Sequence, residues 1–144
     1  VYYDLTASLL YREFLSDDPN VKAQRAFNPA IGGRLEFGSG RSFTAGVSEF
    51  FTRVEDPPYG PGRGNITHTN NLASAELRWA PGGGRLAGSI RYSNVLDLFE
   101  GEYKYANSLG HDLTLDASWK WLPKTALYLQ FSQGYIDFIS PSIL

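Results

Sequence analysis

The chain has 144 residues, a formal net charge of −2 and no cysteine. The weak charge gives no general attraction to nucleic acid, and the missing cysteines exclude disulfides and thiolate chemistry. No apolar run approaches the roughly 18 residues of a membrane-spanning helix. With 15 glycines and eight prolines, the sequence is interrupted too often for long helices.

The first three predicted elements are β-strands, because apolar and polar residues alternate with a period of two. This alternation covers residues 3–13, 27–37 and 43–54. In the third segment the phase slips, since Phe50 and Val54 continue the apolar set while Glu49 and Arg53 stand opposite. Either a β-bulge near Ser48–Glu49 or a merely imperfect pattern accounts for the slip.

Four further strands are predicted at residues 73–79, 86–93, 112–121 and 125–137. The sixth shows the clearest alternation, with Leu113 and Leu115 opposite Asp112 and Thr114. Strands of roughly 10–13 residues exceed the usual 5–6 of soluble sheets. About 9–11 residues are enough to cross a membrane at a tilt.

The connections between these strands alternate between short and long. Short Gly/Pro turns occur at 38–41, 81–84 and 123–124, whereas long polar segments occur at 16–25, 55–70 and around 100–101. Short turns at one end and long loops at the other are typical of outer-membrane β-barrels, which place the short turns in the periplasm. The pattern therefore predicts an antiparallel transmembrane β-barrel of about seven visible strands.

Aromatic residues on the apolar face are predicted to mark two membrane interfaces. Phe27 and Phe37 are ten residues apart on one face, which at a tilt near 40° is roughly 25 Å of height. The apolar band of such barrels is also about 25 Å tall, with aromatic girdles at both borders. The predicted interface aromatics are Tyr11, Phe27, Phe37, Phe43, Trp79, Tyr92, Trp119 and Trp121.

Charged residues of both signs occupy the opposite face. Arginine facing lipid at mid-depth would cost about 2–4 kcal/mol, so these residues are predicted to face a lumen. The solvated outer face of a soluble, lipocalin-like barrel is the alternative. The predicted lumen-lining residues are Arg12, Arg34, Glu36, Glu76, Arg78, Arg91, Asp112, Asp116 and Lys120.

One hairpin carries a family resemblance. In residues 119–138 a strand ends on Trp119-Lys120-Trp121, a Pro-Lys-Thr turn follows, and the next strand closes on Gly-Tyr-Ile-Asp. This hairpin resembles the β-barrel porin family of bacterial outer membranes, some members of which are linked to exopolysaccharide export. An odd number of strands, and an end without the terminal aromatic usual in such barrels, predict that residues 1–144 are one barrel segment, incomplete at both ends.

No catalytic or metal chemistry is predicted. His68 is expected to be a solvated loop residue, and His111 and Asp112 should point to opposite faces of their strand. Two histidines without cysteine do not supply a transition-metal site. The acidic pairs Asp17-Asp18 and Glu55-Asp56 are expected to be solvated rather than to bind calcium. We therefore expect a non-enzyme without a cofactor.

The expected function is a porin-like or export conduit for polar solutes or polysaccharide in a bacterial outer membrane. The alternative is a non-conducting structural or adhesion barrel that presents its loops or scaffolds an envelope complex. The expected partners are outer-membrane lipid, further strands of the same chain or of other subunits, and envelope export or scaffold proteins, but not nucleic acid.

Overall fold

The computed structural model describes residues 1–22, 24–56, 66–82 and 84–139. Seven antiparallel strands form one sheet in which each strand pairs with the next along the chain. Two short helical turns, Pro19–Lys22 (α1) and the 3-10 turn Gly101–Ala106, lie in connections. The strands are β1 Tyr2–Arg12, β2 Ala26–Phe37, β3 Phe43–Asp56, β4 Ile66–Trp79, β5 Leu86–Phe99, β6 Ser108–Leu122 and β7 Thr125–Phe138.

All seven predicted strands are confirmed, and β4, β5 and β6 extend well beyond their predicted bounds. β4 begins at Ile66 rather than residue 73, β5 continues to Phe99, and β6 begins at Ser108. In the extension of β4 polar residues occupy both faces, as at Asn70 and Asn71, and in that of β5 apolar residues occupy both faces, as at Val95 and Leu96, so clear alternation is lost. Backbone pairing nevertheless continues, for example between Asp56 and Ile66.

The predicted alternation of short and long connections is confirmed. Residues 38–42, 80–85 and 123–124 connect strands at one end of the sheet, and residues 13–25, 57–65 and 100–107 connect them at the other. The second long connection is shorter than the predicted loop 55–70, and residues 57–65 themselves lie outside the described part. In the third, the buried Asn107 accepts a hydrogen bond from the backbone N–H of Phe99 at 2.7 Å.

The register of β3 contains no bulge. Its pairing with β4 runs without interruption from Phe43–Trp79 to Asp56–Ile66. The phase slip in the sequence is therefore an imperfect pattern, and the bulge interpretation is wrong. A register shift occurs instead between Lys120 and Leu122, beside the last short turn.

The three short-turn hairpins are staggered evenly along the strands. Phe43, the first residue of β3, shares a cross-strand row with Trp79 and Gly88, and β5 begins two residues before Gly88. In the same way β7 begins two residues before Leu127, which shares a row with Leu86 and Trp119. The stagger is one residue per strand. With about 3.3 Å per residue and about 4.8 Å between strands, turns lying in one plane require a strand tilt of about 35°.

Within the described residues, the sheet is open at both edges and neither of its faces is covered by another element. β1 and β7 each pair with one neighbour only, so the seven strands do not close into a barrel. Among the described residues, Ala26 is the only buried hydrophobic one, and no large side chain is fully buried. The all-β antiparallel prediction is confirmed, whereas a closed barrel is not found in this part of the chain.

Within the same ranges, no helix is long and apolar enough to cross a membrane.

We expect substitutions in the first short turn to differ in cost. Gly38 and Gly40 both have positive φ, at 76° and 78°, so alanine at either position costs about 1–2 kcal/mol. A Cβ at Gly38 would also overlap the carbonyl oxygen of Phe43, whereas one at Gly40 meets nothing within 4 Å. Gly38→Ala should therefore cost about 1–3 kcal/mol more than Gly40→Ala. Urea unfolding measures both, and equal losses would contradict the turn geometry.

Candidate lumen wall

The register assigns every strand residue to one of two faces, because directly paired residues project from the same side of a sheet. All nine predicted lumen-lining residues fall on one side, which we call the charged face. The opposite side, carrying Phe43, Leu77, Ile90 and Leu115, is the apolar face. The structure thus collects the predicted residues on one surface.

Cross-strand polar pairs connect β3, β4 and β5 on the charged face. Glu76 and Arg91 are direct partners, and the Arg91 guanidinium donates to the Glu76 carboxylate at 3.1 Å. In the next row the hydroxyls of Ser48 and Ser74 are 2.8 Å apart. Because both pairs lie on the surface of the sheet, this part of the charged face is polar.

The same lattice continues into β6 and β7 through acceptor carboxylates. Asp112 accepts hydrogen bonds from the hydroxyls of Thr114 at 3.0 Å and Ser132 at 3.3 Å. Asp116 accepts from Ser89 at 3.4 Å. Asp112 thus binds hydroxyl groups of two strands and Asp116 one of a neighbouring strand, and neither carboxylate forms an ion pair with a described residue.

Cations on this face divide into paired and unpaired groups. Arg34 pairs with Glu36 along β2 at 3.1 Å. Arg12, Arg78 and Lys120 form no ion pair with any residue of the described ranges. A depression of about 330 Å³ near the first short turn is lined in part by Arg34, Arg78 and Arg41. The charged face therefore offers both signs of charge to a polar solute.

The predicted interface aromatics lie on the apolar face, and all except Tyr92 are near the ends of their strands. At the short-turn end Phe43 contacts Trp79, with ring centroids 6.3 Å apart, and Trp119 stacks on Trp121 at 6.0 Å. At the other end Tyr11 pairs directly with Phe27. Phe37 lies beside the first short turn. Tyr92, in contrast, is the seventh of the 14 residues of β5 and therefore lies at mid-strand, not at the predicted interface near the long connections.

The first large polar side chains on the apolar face of β4, β5 and β6 occur at a regular distance from the short turns, and we call this level the border. Leu96, Leu98 and Leu109 lie beyond it on the same face. Eight residues separate Trp79 from Asn71, Leu86 from Asn94, and Trp119 from His111. At a tilt of about 35° this distance is about 22 Å of height. The border is therefore nearly level across β4, β5 and β6 once the strands are tilted.

Histidine and tyrosine form a cluster at this border. His111 Nδ1 is 2.6 Å from the Tyr92 hydroxyl and 3.3 Å from the Asn94 amide nitrogen. Its ring stacks between those of Tyr92, at 6.1 Å, and Tyr135, at 6.4 Å. As predicted, His111 and Asp112 lie on opposite faces. No group of three or more His, Cys, Asp or Glu side chains in the described ranges could hold a metal ion.

An ionic cluster lies on the apolar face beyond the border. Arg53 pairs with Glu55 at 3.4 Å and with Glu100 of the third long connection at 3.2 Å. Glu49, closer to the short turns, accepts a hydrogen bond from the Asn71 amide at 3.0 Å. The sequence prediction placed Glu49 and Arg53 opposite the apolar set, but the unbroken register puts them on the same side as Val47.

One cross-strand row on the charged face is apolar and was not predicted. Phe50, Leu72 and Val95 are successive direct partners, and the row continues through Gly110 to Ile136. Strict period-two alternation from Ser48 would have placed Phe50 on this face, but the phase slip obscured that signal. We call these four side chains the apolar row.

His68 differs from its prediction as a solvated loop residue. It lies within β4, half-buried on the charged face, and its ring stacks on that of its direct partner Phe99 at 5.1 Å. The prediction for His68 is wrong because the predicted long segment extends to residue 70, whereas β4 begins at Ile66.

Comparison of the chain with protein-family models, with curated proteins and with solved structures finds no match.

The ion pair between Glu76 and Arg91 should contribute little to stability. Their side chains are 27% and 57% exposed, so the pair is screened by solvent, and a coupling of about 0.2–1 kcal/mol is expected. A double-mutant cycle with Glu76→Gln and Arg91→Gln measures it. A coupling well above this range would mean that the charged face is dry.

Proposed function

We propose that this chain contributes the wall of a β-barrel conduit in a bacterial outer membrane, which passes polar solutes or polysaccharide through its lumen. The observation that carries the proposal is a long-stranded, single-layer sheet with one apolar face and one charged face, neither of which is covered by any other described part of the chain. Lipid would cover the first face, and water in the lumen would solvate the second.

The dimensions of the apolar face support lipid as its cover. The height of about 22 Å between the short-turn aromatics and the polar border is close to the apolar band of about 25 Å in such barrels. The tilt of about 35° derived from the stagger lies at the lower end of their usual range. Aromatic residues near both borders match interfacial girdles, where amphipathic rings are favoured.

A soluble barrel with the apolar face inside is the competing arrangement. In that arrangement four large rings would have to be buried inside one end of the barrel, namely Phe43, Trp79, Trp119 and Trp121. These rings lie beside the exposed short turns, where a soluble barrel meets water. The resemblance of residues 119–138 to the β-barrel porin family also favours the outer membrane.

The open edges require additional strands in this arrangement. Unpaired backbone groups in lipid cost several kcal/mol each, and both β1 and β7 have one free side. We therefore propose that further strands of the same chain, or strands of other subunits, pair with β1 and β7 and close the barrel.

A non-conducting barrel is the second candidate, and the apolar row favours it. Apolar side chains projecting from four strands into the lumen would narrow it near the long connections. Such a barrel would present those connections at the cell surface for adhesion, or would scaffold export proteins of the envelope.

Planar-bilayer recording of the complete, folded assembly tests the conduit. We expect stepwise, ohmic conductance, because mixed charges on a wetted wall admit ions of both signs. A folded assembly that inserts into the bilayer without conducting would contradict the conduit and leave the non-conducting barrel.

The lipid-facing assignment predicts opposite outcomes at two neighbouring residues. Leu115 lies on the apolar face between Ile90 and Phe131, so Leu115→Arg should cost about 2–4 kcal/mol in lipid. Thr114→Arg should be tolerated, because it projects to the charged face beside Asp112.

Urea-dependent folding into phospholipid vesicles measures both variants. Equal tolerance of arginine at the two positions would exclude lipid contact at Leu115.

A further inference from the structure

The apolar row crosses the charged face between two polar rows. On its short-turn side lie Ser48 and Ser74, and on its long-connection side Asn70 donates to Asp97 at 2.6 Å. The row is therefore one layer of apolar side chains within a polar surface. It is not the edge of a larger apolar core.

Glycines leave room for the side chains of this row. A Cβ at Gly32, the partner of Phe50 in β2, would lie 2.6 Å from Cδ2 of the Phe50 ring, so the ring covers this glycine. A Cβ at Gly110 would lie 3.7 Å from Val95 Cβ and 4.0 Å from Ile136 Cγ1. Phe50 and Leu72 remain 43% and 39% exposed, so both project beyond the sheet surface.

We propose that the apolar row is the permeability constriction of the lumen, and that it limits the passage of hydrated ions. This inference rests on the proposed conduit, because only in a closed barrel does the charged face enclose a lumen. The row runs across five neighbouring strands, β3 to β7, and four of them project an apolar side chain from the charged face. In a closed barrel these side chains would form an apolar arc that narrows the lumen from one side. Apolar constrictions restrict ions because water within them is unstable.

The test compares two matched double variants of the complete assembly in planar bilayers. Phe50→Ser with Leu72→Ser removes two side chains of the row. Phe51→Ser with Ala73→Ser changes the next residue of each strand, on the apolar face. We expect single-channel conductance in potassium chloride to rise about twofold or more in the first variant and to stay unchanged in the second.

A third variant adds a side chain to the apolar row instead of removing two, and it therefore leaves the existing packing in place. A side chain at Gly110 would make ordinary contacts with Val95, so Gly110→Val should be accommodated and should narrow the row. We expect its conductance to fall. Electrophoretic mobility without heating, together with vesicle folding, establishes that each variant is folded before recording.

The outcomes separate the constriction from the conduit. A conducting parent with unchanged conductance in the serine and valine variants would overturn the constriction and leave the conduit. A silent parent opened by Phe50→Ser with Leu72→Ser would support the constriction and show that the native barrel is closed. Silence in all folded variants would overturn both.

Discussion

An unbroken cross-strand register is the constraint on which the other features depend. Because side chains alternate between faces at every residue, a shift by one position would exchange the faces of a whole strand. The pairing of β3 with β4 holds one register over its full length. Because this register places Val47 on the apolar face, Glu49 and Arg53, which follow at even spacings, lie on the apolar face as well. The same register places Phe50 on the charged face, so the polarity of both faces changes toward the long connections.

The single layer makes the sheet dependent on its surroundings. Domains ordinarily bury one face of a sheet against a second layer, but the described ranges supply no such layer and almost no buried apolar side chain. Ladder hydrogen bonds and surface polar pairs specify which strands pair, yet they bury too little apolar area to offset the entropy of ordering the chain. In the proposed barrel, lipid and additional strands supply the missing cover.

Strands with pronounced alternation could be predicted from the sequence, and mixed segments could not. The predicted start of β6 lies four residues after the observed start, because apolar and polar residues alternate clearly only over residues 112–121. The start of β4 and the end of β5 could not be predicted, since β4 carries polar residues on both faces at Asn70 and Asn71 and β5 carries apolar residues on both faces at Val95 and Leu96. The pairing of these segments is a property of the neighbouring strands. The charged face could be predicted because charged and small polar residues alternate with apolar ones along much of β2, β4 and β6. The apolar row could not, since it exists only where four strands are aligned.

The even stagger of the hairpins also bears on how large the assembly can be. A displacement of one residue per strand corresponds to a shear number equal to the number of strands. The tilt then depends on the displacement per strand, and the diameter depends on how many strands are present. Additional hairpins that kept this displacement would widen the cylinder while leaving its wall angle unchanged. Strands added from the same chain and strands added from another subunit would therefore have the same effect on tilt and diameter. The seven-stranded sheet is compatible with cylinders of several widths.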